Sequence, residues 1–443
     1  LRPLLFGTSE VESIVRRPFF AKVLNQSYQA HPDNQSFVPQ SEVDLIEHWW
    51  RLGGYNERGQ NALERQQVLL DLAGVRSRSL SQPIRLSSLT SIQHIDALKT
   101  DGVLQDARQG ISINFAHDIF FEWAFFHVLV DKGDEWVEEI KACGEPPAVA
   151  RVVELVSQWE YNNGENWSST LALTFDPSIR SQWQRAWLVG LLGNPIFESS
   201  EGQFEVEVFA NDFLLLRKVL VWFQAEKTSP NINIPLDHLP LQERQKFADL
   251  LGWPSDFSSW RRLIVFILKR ISKIPQRLFP ECVAIFEVWQ NALSELDNPA
   301  SKTILKQCAN WLKELDEIEY AAKPKEKSAY WNEVPNLGDF RKSLIRLLLR
   351  ATKVQPSYSQ EYLQRYMNAK YTSDSEFNEI MGFSPILAQS IPESVVELSL
   401  NYLCQELPDD QVARENKEHQ KQIEWRKAIL AKPESERTVD EQR

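Results

Sequence analysis

The residues best suited to chemistry in this chain sit in one short string, Phe115-Ala116-His117-Asp118. It follows a glycine-containing turn and opens an apolar helix over Ile119–Val130. A helix start leaves backbone N–H groups unpaired and carries a partial positive charge, so it suits an anion. An imidazole there can donate a hydrogen bond to a phosphate oxygen, and the adjacent carboxylate can cap the helix. A second reading needs no ligand: Asp118 is a first-turn acid and His117 a surface residue. From the residues alone, both stand.

Other chemistry is missing from the string of letters. There is no G-x-x-x-x-G-K-[S/T] to surround phosphates, and no G-x-G-x-x-G, H-E-x-x-H, G-x-S-x-G or EF-hand loop. The seven histidines are spread singly, none at metal-ligand spacing beside a cysteine. The chain therefore has no self-contained catalytic centre. Cys143, Cys282, Cys308 and Cys404 form no C-x-x-C pair and have apolar neighbours, the pattern of buried free thiols in a reducing compartment.

The elements that position the string can be read next. Ser41 is a suitable N-cap for a helix over Ser41–Leu52. A second helix is expected over Ala62–Val75, and a third over Ser88–Thr100, where Leu89, Ile92, Ile95 and Leu98 recur every three residues until Gly102 stops it. Gly102-Val103-Leu104 and the alternating run Ile111–Phe115, with Asp106–Gly110 between, read as a β-hairpin. Three helices and a two-stranded wing make a winged-helix domain. Upstream, Val11–Leu24 is amphipathic but holds Pro18, so a helix should start at Pro18 after a break, the first turn being where proline is tolerated.

The chain has 443 residues, of which 43% are hydrophobic and 25% charged. That is a packed protein of more than one domain, since single cores stop growing near ~250–300 residues. Its net charge of −12 opposes binding to nucleic acid, and the third helix offers only Lys99 against Asp96 and Asp101. No apolar run reaches the ~18 residues of a membrane span, and Leu1–Phe6 lacks the basic flank of a signal peptide. The start at Leu1, not Met, is expected of a processed product or part of a longer chain. Beyond the hairpin helices are expected over Ala148–Trp159, Ile179–Leu192, Asp212–Phe223, Leu241–Leu251, Phe257–Ile271, Pro280–Leu293, Ser301–Glu314, Asp339–Ala351 and Val395–Gln405. Prolines punctuate them, and no strict repeat appears, which reads as an irregular α-solenoid. The fold class is thus mostly α, divided into 1–33, a helical segment; 34–130, the winged helix; 131–407, the array; and 408–443, a charged helix and frayed tail. The 15 tryptophans exceed the need of such a core, making Trp159, Trp167, Trp183, Trp222, Trp253, Trp260 and Trp331 candidate surface anchors. Trp183 and Trp187, four apart, should share a seam between helices.

In order, Arg17-Pro18-Phe19, the winged helix and Phe115-Ala116-His117-Asp118-Ile119-Phe120-Phe121-Glu122-Trp123-Ala124 resemble the C-terminal part of STAND NTPases. These are the signalling ATPases that include NLR immune receptors and bacterial antiphage (AVAST-type) ATPases. Trp49-Trp50-Arg51-Leu52-Gly53-Gly54 and Leu191-Leu192-Gly193-Asn194-Pro195 look most like the large bacterial members. The resemblance is carried by about residues 11–130 and is architectural beyond them. It implies that His117 contacts the β-phosphate of ADP in a resting state, with Asp118 in support, and that Pro18 packs on adenine, although the glycine of the usual G-x-P form is absent. It further implies ADP/ATP and Mg held by an NTPase domain N-terminal to Leu1, none held by this chain alone, and an effector beside that domain. The array would recognise a foreign phage protein and trigger homo-oligomerisation in the cytoplasm, with no membrane or nucleic-acid partner. Two other layouts match the same elements: a helical scaffold without a nucleotide switch, and a transcription regulator.

Overall fold

The structure, a computed structural model, describes residues 4, 8–30, 36–54, 57–89, 92–163, 166–230, 240, 252–319, 331–368 and 374–404, with 417, 419–421, 423–427 and 429. It is mostly α-helical with small antiparallel sheets. The contacts divide the chain into two units, Leu1–Gln307 with Lys325–Ser343, and Cys308–Pro324 with Leu344–Arg443.

The first unit opens with helix α1 (Ser9–Val15), capped by the Thr8 hydroxyl, and α2 (Pro18–Ala30). The break falls between them, and Pro18 takes the first helical position as its missing N–H requires. Helix α3 (Glu42–Arg51) starts with a reciprocal cap. Asp44 N–H donates to Ser41 Oγ at 3.1 Å and Ser41 N–H to Asp44 Oδ2 at 3.0 Å. Helix α4 (Gln60–Ser77) follows, then strand β1 (Ile84–Arg85), α5 (Ile95–Thr100), β2 (Leu104–Arg108) and β3 (Ser112–Phe115). The strands form one antiparallel sheet in the order β1-β3-β2.

Two sequence expectations need correction here. The hairpin is part of a three-stranded sheet, because Ile84 pairs with Ile113 and Arg85 with Ser112. The third helix is six residues long and not Ser88–Thr100. His94 sits at φ 66°, a left-handed conformation that bars a helix from running through it, and its Nε2 lies 2.8 Å from Glu64 Oε2. Ile92, counted in the apolar period, is 67% exposed. The stop at Gly102 holds: it lies at φ 74°, and Val103 N–H bonds back to the Leu98 carbonyl at 2.9 Å.

Helix α6 (Asp118–Lys132) runs through the core of this region, with Trp123, Phe125 and Phe126 fully buried. Next come α7 (Trp136–Ala142), α8 (Ala150–Asn163), α9 (Trp167–Leu173) and α10 (Ser181–Leu191). Helices α8 and α10 approach closely because Gly190 has no side chain. A methyl there would stand 2.6 Å from Glu154 Cγ and 2.7 Å from its Cα. Trp187 stacks on Trp136 at 5.4 Å, and Trp183 and Trp187 are both buried, in the seam foreseen for them.

Helix α11 (Glu201–Lys227) is two helical arms joined across non-helical residues Ala210–Phe213, and the second arm matches the expected Asp212–Phe223 to within a few residues. A two-stranded pairing of β4 (Thr228–Ser229) with β5 (Trp253–Pro254) follows. Helices α12 (Phe257–Arg270), α13 (Phe279–Leu293), α14 (Pro299–Glu319) and α15 (Leu337–Arg350) match expected segments to within a few residues, α14 running longest past its expected end. The expected Leu241–Leu251 lies outside the described residues.

The surface role given to the tryptophans fails for Trp167, Trp183, Trp260 and Trp331, which are buried. Trp260 Nε1 donates to the Lys227 carbonyl at 2.7 Å and Trp183 Nε1 to Glu145 Oε2 at 2.7 Å. In these two, the polar tip of the buried indole finds its partner inside. Trp159, Trp222 and Trp253 are half-buried. None of the four cysteines is in a disulfide, but Cys404 is exposed and Cys143 half-buried, contrary to uniform burial.

In the second unit, α16 (Pro356–Met367), α17 (Asp374–Met381), α18 (Ser384–Ser390) and α19 (Pro392–Cys404) join the ends of α14 and α15. Leu344, Leu348, Tyr362, Leu363 and Ile380 are buried there. Arg365 donates to the buried Asp316 at 2.9 Å, and Arg346 to Glu379 at 2.7 Å. Among the described residues, no helix is long and apolar enough to cross a membrane. Those described between 417 and 429 are helical, which agrees with the charged helix expected there; residues 430–443, the expected frayed tail, lie outside them.

Candidate functional site

His117 is the N-cap of α6: its Nδ1 accepts the Ile119 N–H at 3.2 Å. Accepting there puts the proton of the neutral ring on Nε2, which leaves Nε2–H to donate outward. The residue is exposed, as is Asp118 beside it. A shallow recess of about 310 Å³ surrounds them, lined by Arg76, Gln105, Asn114, Phe115, Ala116, His117 and Asp118. Arg76 is partly committed, donating to the Gln82 carbonyl at 2.6 Å. Asn114 Oδ1 is buried without a hydrogen-bond partner among the described residues. Donors from His117 and Arg76 thus share the recess with the Asp118 carboxylate and the Asn114 Oδ1 acceptor.

Pro18 is exposed at the start of α2. The residue after it closes the distance to His117: the Phe19 ring lies 4.4 Å from the imidazole, centroid to centroid. Phe19 is held in turn by Phe120 at 5.0 Å and Trp123 at 5.9 Å. The strings around Pro18 and His117, far apart in sequence, thus meet at one edge of the sheet and helix α6.

Glu42 anchors this arrangement from below. Its side chain is only 9% exposed, and it accepts from Trp123 Nε1 at 3.3 Å, from Arg17 at 3.3 Å and from Arg151. Arg151 also faces Glu122 at 3.5 Å. Burial pushes the Glu122 carboxyl up to about 7; Arg151 pulls it down, while Glu42 and Asp118 raise it further.

Beyond Glu42 lies a partly open cleft of about 250 Å³, walled by α1, the starts of α3, α8 and α12, and the ends of α10 and α11. Four cations line it, Arg17, Arg151, Lys227 and Arg262, with Glu10, Glu42, Glu154 and Asp256 between them. Arg262 is 1% exposed, and it donates to the carbonyls of Leu192 at 3.1 Å and Gly193 at 3.3 Å and to Glu198 at 3.2 Å. Glu154 lies 3.5 Å from Lys227, yet burial holds its carboxyl well above the usual range. The charges alternate and pair, so the cleft ties the N-terminal helices to the later ones. Sequence reasoning missed Phe19, Glu42 and this whole lattice. Only Glu42, directly after an N-cap serine, carried a local signal; the pairings join distant segments, Glu42 with Arg151 and Glu10 with Arg262.

Among the described residues no cluster of His, Cys, Asp or Glu could hold a metal ion. No protein-family model, curated protein or solved structure matches this chain.

Proposed function

We propose that this chain is the winged-helix and sensor portion of a STAND-type NTPase, a two-state switch that binds a foreign protein on its helical part and relays the event to an ATPase and an effector. The winged-helix reading is supported by the order α3, α4, β1, α5, β2, β3 and by a sheet in which β3 lies between β1 and β2. The nucleotide reading is carried by one observation, the 4.4 Å packing of Phe19 on His117. It places the Arg-Pro-Phe string next to the imidazole, as a shared nucleotide edge would require.

The residues fit one phosphate of ADP. Nε2–H of His117 and the Arg76 guanidinium are the donors, and Pro18 with Phe19 forms the apolar border. Asp118 does not fit the supporting role, since an exposed carboxylate in the first turn of α6 repels an anion. A P-loop and the Mg site belong to a domain whose motif this sequence does not contain. A regulator that reads DNA is disfavoured: Lys99, the one cation of α5, is paired with Asp106 at 2.7 Å and Asp96 at 3.5 Å.

The test uses the protein joined to its ATPase domain. His117→Ala should lower the ADP that co-purifies with it and raise effector output without a target, as expected when one state loses a contact the other never had. Unchanged ADP content together with unchanged resting output would remove the switch and leave the helical scaffold as the better reading. Capture of a phage protein by the intact protein from infected cells tests the sensor half separately.

A further inference from the structure

Helix α11 is broken into two arms by a turn at Ala210–Phe213. From Gln203 to Lys227 there is neither glycine nor proline, and Leu, Val and Phe are its commonest residues. Nevertheless Asn211, Asp212 and Phe213 lie at φ 49°, 59° and 61°, after Ala210 at ψ 163°. Three successive non-glycine residues thus make a left-handed turn between two helical arms, 201–209 and 214–227. Asn and Asp tolerate that region through their short polar side chains; Phe does not.

What holds the bend is tertiary. Arg277 donates to the Asp212 carbonyl at 3.1 Å and pairs with its carboxylate. Phe213 packs on Phe209 at 4.8 Å. On the first arm, Glu205 pairs with Arg270 at 2.6 Å and Lys273 at 2.7 Å. Left-handed backbone is therefore set against a brace of ion pairs, several of them at the surface where salt screens them.

We infer that Ala210–Phe213 is a two-state joint. In one state the brace holds the bend seen here; in the other, α11 runs as one straight helix and regains the backbone hydrogen bonds of the missing turn. Strain of this kind between two helical arms marks a bistable element. The inference rests on this backbone alone and is independent of the nucleotide reading.

Spin labels at the exposed positions Val206 and Val221, in a chain with Cys143 and Cys404 replaced by serine, read the joint by pulsed dipolar spectroscopy. A straight helix separates those backbone positions by roughly 22 Å. Asn211→Ala with Asp212→Ala should enrich that population, as should raised salt. Phe213→Gly, which removes the left-handed penalty, should shrink the straight-to-bent ratio about tenfold. Opposite shifts in the two variants support the joint. One distance distribution, the same in the parent chain and in the double-alanine variant at low and high salt, overturns it. So does a rise of the straight population in Phe213→Gly, and should that variant not fold, the double-alanine chain and the salt series decide alone.

Discussion

Replacing Glu42 by glutamine removes the charge at the centre of the lattice while keeping an acceptor for Trp123. Arg151 then keeps Glu122 at 3.5 Å and the nearby charge of Glu154. Breaking a fully buried pair by removing one partner costs about 3–5 kcal/mol. The Arg151 side chain is 42% exposed, and screening by water brings the expected loss to about 1.5–3 kcal/mol. Arg17 is 55% exposed, so Arg17→Ala should cost no more than about 0.5 kcal/mol. Urea unfolding at pH 8, followed by circular dichroism, measures Glu42→Gln, Arg151→Met and the double variant. The cycle should return a coupling energy of about 1–2 kcal/mol between the two sites. A loss below about 0.5 kcal/mol for Glu42→Gln, or additivity of the two changes, would refute the claim that this carboxylate holds the N-terminal helices in place. It would also undercut the fixed placement of Phe19 against His117.

Further outcomes follow from individual groups. The Glu122 carboxyl is raised from 4.5 to about 7 in the folded chain, so the folded state binds the extra proton. Its contribution is full below about pH 4.5 and is lost as pH rises through about 7. That loss is on the order of 3 kcal/mol, and Glu122→Gln should flatten this part of the stability–pH curve; an unchanged slope counts against it. Gly190→Ala forces α8 and α10 apart and should cost about 3 kcal/mol or more, seen as a lower thermal midpoint. Gly102→Ala meets no atom within 4 Å and should cost only about 1 kcal/mol for its left-handed backbone. Equal effects of the two would show that the close approach of Glu154 is not what demands Gly190. Arg262→Met takes a buried donor from the Leu192 and Gly193 carbonyls, while Glu198 keeps Arg261; it should lower stability by about 1–3 kcal/mol, measured by the same urea titration.

Local chemistry was legible along the chain. Ser41 announced a helix start, Pro18 a first turn and Gly102 a stop, because each acts on backbone groups within four residues of itself. Periodicity found most of the long helices for the same reason, although it missed α16 and the short helices α7, α9, α17 and α18. It failed at Ser88–Thr100, where the left-handed backbone of His94, whose ring meets Glu64 from another helix, cuts the helix short. At α11 it placed a helix start at Asp212, inside the left-handed turn, but did not foresee the helical arm before it. Tryptophan number suggested a sticky surface, but whether an indole is buried depends on which helices close over it. The pairing of Arg151 with Glu42, the packing of Phe19 on His117 and the charged cleft between distant segments belong to the tertiary structure alone. Electrostatic and packing contacts act through space, and nothing in the spacing of residues says which distant segments will share it.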